Sequence, residues 1–430
     1  MRAAERAPRW RRTRAMPPGP GRIRRPRRPA VDGNGVPRPR RPATGWPARI
    51  EAATPAGRDR TVDAARAVAM AGVVLGHWLV SALVSDPYRP AALHGASPLA
   101  STPGLSPLTW PLQTLGLFFF AGGFAAARGL PAAGGLRRLG VRVARLTRPV
   151  AVLLAVWLPA LPLLSAAGGT RQAVWSLVSH PLWFLLVYLM LTAAAPVLRT
   201  AVLRWGAWAA LPPAGIVALA DVFHPPYRLG LVTVPVAWAA PYVLGIALAE
   251  GRLRRRAGAV LVPLGVAGGA VLVLWAGYPA SAVGVPGAGR SNLDPPSLFT
   301  LALAGAQIGA FLLVRPWLAR LLRRPSRWAP VAVLNLGAMT VYCWHQTALL
   351  LVTFAALPFG RPPGLLDAPA GDWPLHRLAW LPAFALVLAG LCAAFHRAGH
   401  PRSRPARPPR TGRGEPGQLP GRRAEEVCGR

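Results

Sequence analysis

The chain has 430 residues, of which 53% are hydrophobic and 15% are charged, and its mean hydropathy is +0.33. These values are too apolar for an ordinary soluble protein of this length and predict a protein embedded in lipid. The formal net charge is +36 and all 50 basic residues are arginine. They lie at the termini and between apolar runs, not among aromatic residues on one face, so we do not expect nucleic acid as a partner. We expect anionic membrane lipids to face this charge.

Two basic, proline-rich segments flank the hydrophobic part of the chain. Residues 1–57 contain runs such as Arg-Arg-Pro-Arg-Arg-Pro and too little apolar material to offset the entropy of ordering. Residues 397–430 have a similar composition. We therefore predict a disordered cytoplasmic arm over 1–57, a transmembrane domain over 58–396, and a disordered basic cytoplasmic tail over 397–430.

Ten apolar stretches within the central domain are long enough to cross about 30 Å of hydrocarbon as helices. The sequence therefore predicts an all-α fold, a polytopic transmembrane bundle of about ten helices. The stretches lie near residues 62–84, 108–127, 146–165, 181–198, 205–222, 231–249, 258–278, 297–314, 331–357 and 378–396.

The distribution of arginine between the stretches predicts their orientation. Loops after the second, fourth, sixth and eighth stretches carry 17 arginines, whereas the loops on the other side carry 6. Cytoplasmic loops are the ones enriched in basic residues. Both basic termini fall on the arginine-rich side, so an even number of crossings with both ends in the cytoplasm is expected.

The first stretch carries two ionisable residues on one face. Arg66 and His77 are 11 residues apart, which is three helical turns plus ~20°, with ~16 Å of axial separation. This places Arg66 at the cytoplasmic interface and His77 near mid-membrane, where an ionisable residue is a candidate functional group. A structural alternative has Arg66 paired with Asp63 and reaching for headgroups while His77 bonds another helix.

The second and third stretches carry weaker signals. The glycines after Phe118-Phe119-Phe120 could let another backbone or a substrate approach closely, but aromatic-rich apolar helices are more often core or lipid-facing packing. Arg142 and Arg145 enter the third stretch on one helical face, and a guanidinium pair suits phosphate. Most arginines at such a place are only positive-inside anchors, so both interpretations are open.

Two later motifs contain histidine. His180 precedes Trp183 at the start of the fourth stretch, a pattern typical of the aromatic belt at a membrane surface. In the ninth stretch Asn335 is a plausible N-cap, and Tyr342 and His345 share a helical face at a depth similar to that of His77. Metal binding is the rival explanation, but no acidic or cysteine partner lies near either histidine, so we expect no metal.

Taken together and in order, these motifs resemble the acyltransferase 3 family, membrane-bound O-acyltransferases that modify bacterial surface polysaccharides, lipopolysaccharide, peptidoglycan or secondary metabolites. The family's first-helix Arg and His match Arg66 and His77. Its Phe-Phe-x-x-Ser-Gly-Phe pattern resembles residues 118–124, with Gly122 at the serine position. Its arginine-rich third-helix entry, Trp-Phe-Leu box and late Tyr-x-x-His resemble residues 142–149, 183–185 and 339–345.

The resemblance, over about residues 58–396, implies a multi-pass protein of the bacterial plasma membrane that uses acyl-CoA, in the simplest case acetyl-CoA, as the donor. The acceptor would be a hydroxyl of a glycan, a lipid or a metabolite. His77 would act as general base or form a transient acyl adduct, with Arg66 as its catalytic partner. The donor's phosphates would bind Arg66, Arg142 and Arg145, and the acceptor would contact Tyr342, His345 and Trp183.

A transporter or exporter is the alternative function. Mid-membrane histidine and arginine would then form a proton or substrate path. Internal repeats would favour it, but the histidine-bearing stretches do not occupy corresponding places in the two halves. The sequence contains no P-loop, GxGxxG, HExxH or GxSxG motif, so ATP-driven transport and serine-hydrolase chemistry lack their usual markers.

Overall fold

The computed structural model describes residues 45–85, 88, 92–129, 135–164, 168–223 and 230–399. Within these residues the structure is helical apart from turns and one antiparallel hairpin, in which strand β1 (Ala82–Ser85) pairs with β2 (Leu93–Ala96). The helices are α1 (Trp46–Ala52), α2 (Arg60–Val80), α3 (Pro98–Ser101), α4 (Leu115–Gly129), α5 (Gly135–Leu163), α6 (Gly168–Ser179), α7 (Trp183–Trp205), α8 (Leu211–Phe223), α9 (Thr233–Ala249), α10 (Arg255–Leu274), α11 (Leu298–Leu321), α12 (Pro325–Leu336), α13 (Ala338–Ala356) and α14 (Trp373–Gly399).

The prediction of an all-α bundle of membrane-spanning helices is confirmed. Among the described residues, seven helical segments are long and apolar enough to cross a membrane. A helix overlaps each of the ten predicted stretches, but α4 and α9, with 15 and 17 residues, are shorter than a typical span. Helices α6 to α8 lie within one 55-residue segment. The count of ten crossings and the cytoplasmic side of the termini therefore stay predictions.

Part of the predicted disordered arm is ordered. Helix α1 lies within residues 1–57 and packs against α12, where Trp328 Nε1 donates to Thr54 Oγ1 at 2.8 Å. Arg60 pairs with Glu51 at 2.6 Å and lies over the Trp328 ring. A buried tryptophan thus supplies the apolar partner that the arm lacks in its own sequence. The disorder predicted for residues 1–44 and 400–430 falls outside the described residues.

Helices α4 and α9 pack with their backbones in contact. A Cβ atom added at Gly123 would lie 1.9 Å from the carbonyl oxygen of Tyr242, and one added at Gly245 would lie 1.9 Å from that of Phe120. Only glycine permits this approach, which is how small residues bring helices together in membranes. The phenylalanines of residues 118–120 consequently point into the core, where Phe119 stacks on Trp238 at 4.9 Å.

Helix α2 is anchored at its first turn by Asp59. The Asp59 carboxylate accepts from the main-chain N–H groups of Thr61 and Val62 at 3.0 and 3.3 Å and pairs with Arg315 at 2.6 Å. Burial alone would raise the pKa of Asp59, but the hydrogen bonds from Thr61 and Arg315 outweigh it and lower that pKa. This capping fixes the end of α2 opposite to His77.

Two local predictions about these helices are wrong. Asp63 does not pair with Arg66; it pairs with Arg58, which approaches from the segment before α2. Asn335 is not an N-cap, because it lies inside α12 and the next helix begins after Gly337. Asn335 Nδ2 instead donates to the carbonyl oxygen of Asp63 at 2.8 Å and links the two helices.

Candidate active site

A cavity of ≈ 80 Å³ lies beside the last turn of α2. Its walls come from α2, from the segment before α4, from the turn before α7, from the loop between α10 and α11, and from α13. All of the loops among them lie on the side predicted to be arginine-poor. The polar side chains in the lining are His77, Thr109, Gln113, His180 and Tyr342, and the rest of the lining is mostly apolar.

His77 forms one wall of the cavity and contacts α13 behind it. His77 is half-buried, whereas His345 is fully buried. The two rings lie 5.0 Å apart between centroids, and His345 Nε2 is 3.1 Å from His77 Nδ1. The side-chain amide of Gln346 is also in contact, with its nitrogen placed 3.0 Å from His77 Nδ1. Two polar residues of α13 therefore hold one nitrogen of His77.

The hydrogen bonds of His345 determine which nitrogen of His77 is free. His345 Nδ1 is 2.6 Å from the carbonyl oxygen of Tyr342, which can only accept, so this nitrogen carries a proton. In a neutral ring His345 Nε2 is then an acceptor, and His77 Nδ1 donates to it. The lone pair of a neutral His77 is consequently on Nε2, in the ring that lines the cavity.

The same argument sets the orientation of Gln346. Its Oε1 atom is buried without a hydrogen-bond partner among the described residues, while its Nε2 faces a nitrogen that carries a proton. A half-turn of the amide removes the clash between two donors, because the oxygen then accepts from His77 Nδ1. We assign that orientation. His77 Nδ1–H is thereby shared between two acceptors, the ring of His345 and the amide of Gln346.

The end of α2 that carries His77 is fixed by a fully buried arginine. Arg377 Nε donates to the carbonyl oxygen of Trp78 at 2.7 Å, and its Nη2 donates to that of Ser81 at 2.6 Å. Its Nη1 donates to the carbonyl oxygen of Gly364 at 2.9 Å. A cation at a helix C-terminus is favoured by the helix dipole. Arg377 therefore holds the backbone directly after His77.

Tyr342 and Trp183 form the aromatic wall of the cavity. The Tyr342 hydroxyl donates to the carbonyl oxygen of Pro181, so it ties α13 to the turn before α7. Trp183 and Phe184 begin α7 directly after that turn and line the same cavity, as does His180, which the sequence assigned to an interfacial belt. Tyr342 and Trp183 therefore lie where a bound molecule would contact them, whereas His345 reaches the cavity only through His77.

Arg66, the first of the predicted arginines, lies away from this cavity. Arg66 is half-buried and lines neither described cavity, and its position on α2 is ~16 Å along the axis from His77. Arg142 and Arg145 belong to α5, but their side chains fall outside the described residues. His77 itself lies in the last turn of α2, nearer to the end of the helix than to its middle.

A second, larger cavity of ≈ 650 Å³ lies at the opposite end of α2. Its lining contains five arginines, and three of them are bound by acids: Arg58 by Asp63, Arg60 by Glu51 and Arg315 by Asp59. The basic side of the molecule therefore has an open, arginine-lined space, separate from the histidine cavity. The five arginines are Arg58, Arg60, Arg128, Arg255 and Arg315.

Three groups around His77 escaped the sequence-based prediction. Gln346 directly follows His345 in a run of polar residues within an apolar helix, a signal that was available. Gln113 and Arg377 lie in or next to loops, and only the three-dimensional path of those loops brings them to α2. Among the described residues, no group of three or more His, Cys, Asp or Glu side chains is arranged to hold a metal ion.

The site can perform acid–base chemistry within a multi-pass helical membrane protein: a histidine with one free nitrogen faces a small, mostly apolar cavity and is held by a second histidine. Comparison with known families gives the same class. The acyltransferase 3 model, described as an acyltransferase domain, matches residues 59–396. The chain belongs to this family and is a membrane acyltransferase. No curated protein and no solved structure gives a significant match.

Proposed function

We propose that this acyltransferase transfers an acyl group, most simply acetyl, from acyl-coenzyme A on the cytoplasmic side to a hydroxyl group. The acceptor is a cell-surface glycan, a lipid-linked sugar or a secondary metabolite, and the membrane is the bacterial plasma membrane. One observation carries the proposal. His77 lines the cavity while its Nδ1 is engaged by His345, so its Nε2 is available as a base.

In the proposed reaction His77 Nε2 takes the proton of the acceptor hydroxyl as the oxygen attacks the thioester carbonyl carbon. The carbon–sulfur bond then breaks, and the proton passes from His77 to the departing sulfur, so that an ester and the free thiol are formed. His345 and Gln346 accept from His77 Nδ1 and support the positive charge that the ring carries between these steps.

A covalent route would use the same nitrogen. His77 Nε2 would attack the thioester first, release the thiol and hold the acyl group until the acceptor hydroxyl attacks. Incubation with labelled acetyl-CoA but without acceptor separates the two routes. A labelled peptide containing His77 supports the adduct, and its absence under conditions of full activity supports direct transfer.

The donor's phosphates are assigned to arginines on the other side of the protein. Among the described residues Arg66 has no hydrogen-bond or ion-pair partner, and a guanidinium group suits phosphate. Its ~16 Å axial distance from His77 is a length that the extended arm of coenzyme A can cover. Arg142 and Arg145 remain further candidates from the sequence. Trp183 and Tyr342, in the cavity wall, are assigned to the acceptor.

The test compares membranes from cells that express the full chain or its variants, supplied with isotopically labelled acetyl-CoA. Labelled esters are followed by mass spectrometry in glycan, lipid and metabolite extracts. His77→Ala should lower transfer by about 10²- to 10⁴-fold, and Arg66→Ala should raise the KM for acetyl-CoA. His376→Ala and Arg323→Ala remove exposed side chains of the same types and are the matched controls.

The outcomes separate the proposed function from transport. If well-expressed His77→Ala transfers label as fast as the wild type, the catalytic assignment is wrong. If the wild type neither binds coenzyme A nor transfers label to any fraction, an enzyme of this kind is excluded. Loss of proton or solute movement in His77→Ala would then favour the transporter.

A further inference from the structure

A buried hydrogen-bond donor beside the cavity has no role in the acyl transfer proposed above. Gln113 is 7% exposed and lines the cavity together with His77. Its Nε2 atom is buried and has no partner among the described residues. Buried polar groups are nearly always bonded, so an unbonded donor beside a cavity is suited to bond a molecule that enters it.

The orientation of the Gln113 amide is fixed by Leu115, the first residue of α4. The main-chain N–H of Leu115 donates to Gln113 Oε1 at 3.0 Å, and because an N–H can only donate, the oxygen must be the atom on that side. The nitrogen, with both protons, is therefore the atom left unbonded. Gln307 Nε2 holds the same segment by donating to the carbonyl oxygens of Trp110 and Gln113 at 2.9 and 3.0 Å.

The two hydroxyl groups in the described lining already donate to main-chain carbonyl oxygens. The Tyr342 hydroxyl donates to the carbonyl oxygen of Pro181. Thr109 Oγ1 donates to the carbonyl oxygen of Ser106 at 2.6 Å and accepts from the N–H of Ala282 at 2.9 Å. His77 acts as an acceptor through Nε2. Gln113 is thus the buried side chain of the described lining that offers free N–H groups.

We propose that Gln113 is a catalytic residue whose Nε2 donates to the carbonyl oxygen of the acyl group as negative charge develops there. This inference rests on the proposed acyl transfer. An acceptor hydroxyl is held through its proton by His77, whereas a thioester oxygen can only accept, and it therefore needs a donor. An amide held rigidly before the reaction is suited to that role, because it need not reorganise when the charge appears.

The experiment measures kcat and KM for acetyl-CoA in the purified full chain. Gln113→Met keeps the length of the side chain but removes the donor, and kcat should fall about 10²- to 10³-fold with KM nearly unchanged. Gln113→Glu keeps the acceptor for Leu115. Its carboxyl group donates only while protonated, so the ratio of its kcat to that of the wild type should fall as pH rises.

Gln307→Met is the matched control, because it loosens the segment that carries Gln113 but leaves the donor in place. It should lower kcat less than Gln113→Met does, because the donor itself is kept. Equal losses in Gln307→Met and Gln113→Met, or a Gln113→Glu variant as active as the wild type at every pH, would overturn the inference. Failure of the wild type to transfer label would instead remove the proposed function, and this inference with it.

Discussion

His77 Nδ1 and His345 Nε2 lie 3.1 Å apart, although α2 and α13 are far apart in the sequence. His345 is fixed in turn by the carbonyl oxygen of Tyr342 and by Trp78, whose Nε1 donates to the carbonyl oxygen of His345 at 2.9 Å. The proton on His345 Nδ1 therefore decides which nitrogen of His77 is free. In the proposed reaction, residues of α13 would therefore act through His77 on α2.

We predict that His345→Ala lowers kcat at least about 100-fold, because His77 then loses the partner that selects its reactive tautomer. The KM for acetyl-CoA should change little, since His345 does not line the cavity. Steady-state kinetics on the purified protein test this, with His376→Ala as the exposed control. A kcat equal to that of the wild type would show that His77 needs no support from α13.

Replacement of Arg377 should destabilise the protein. Arg377→Met leaves the carbonyl oxygens of Trp78, Ser81 and Gly364 without their donors, and we expect a loss of about 3 kcal/mol in the free energy of unfolding. Arg377→Lys should recover only part of it, because an ammonium group lacks the planar fork that meets three separate acceptors.

Unfolding in detergent, followed by circular dichroism, measures this effect. Arg323→Met removes an exposed arginine and should leave the unfolding midpoint unchanged. An Arg377→Met protein as stable as the wild type would mean that water satisfies the three carbonyl oxygens.

The sequence could predict the two histidines but not the groups around them. His77 and His345 stood out because ionisable residues are rare in apolar helices, and both lie at similar helical depth. Gln113 and Arg377 did not stand out, because the sequence alone does not show which part of the fold a residue in or next to a loop will contact. Asn335 shows the opposite error: a residue that resembled a cap lies inside α12 and links it to Asp63.

Because the backbones of α4 and α9 are in contact, even one added methyl group between them should destabilise the protein. Gly123→Ala would place a Cβ atom 1.9 Å from the carbonyl oxygen of Tyr242, so the helices must separate, and we expect a loss of at least about 1–3 kcal/mol in stability. Gly305→Ala is the matched control, because no atom lies within 4 Å of its added Cβ. Unfolding of both proteins in detergent gives the comparison, and equal stability would contradict the close packing.

Gly122 occupies the position where the family pattern has serine, and its neighbour explains the difference. A Cβ atom at Gly122 would lie 2.6 Å from Cε2 of Tyr188. Gly122→Ser alone overpacks this contact and should therefore lower the free energy of unfolding by about 1–3 kcal/mol. Activity should fall with it. The double variant Gly122→Ser with Tyr188→Leu should recover most of that loss, which a double-mutant cycle measures. Additive effects of the two changes would show that the residues do not compete for space.

Tyr278, in the loop between α10 and α11, connects that loop to Asp221 of α8. Burial and a 2.7 Å hydrogen bond from its hydroxyl to Asp221 Oδ2 raise the pKa of Tyr278 from 10.0 to about 12. Because the folded protein favours the protonated hydroxyl, the stabilisation is complete below pH 10.0 and is lost as the pH rises through about 12.

Near-ultraviolet absorbance of the wild type minus that of Tyr278→Phe isolates the ionisation of this tyrosine. The midpoint should lie at about 12, and in Asp221→Asn it should be lower, because the carboxylate no longer opposes a second negative charge. The stability advantage of the wild type over Tyr278→Phe should disappear over the same interval. A midpoint near 10.0 would mean that water reaches Tyr278 and that Asp221 does not hold this loop to α8.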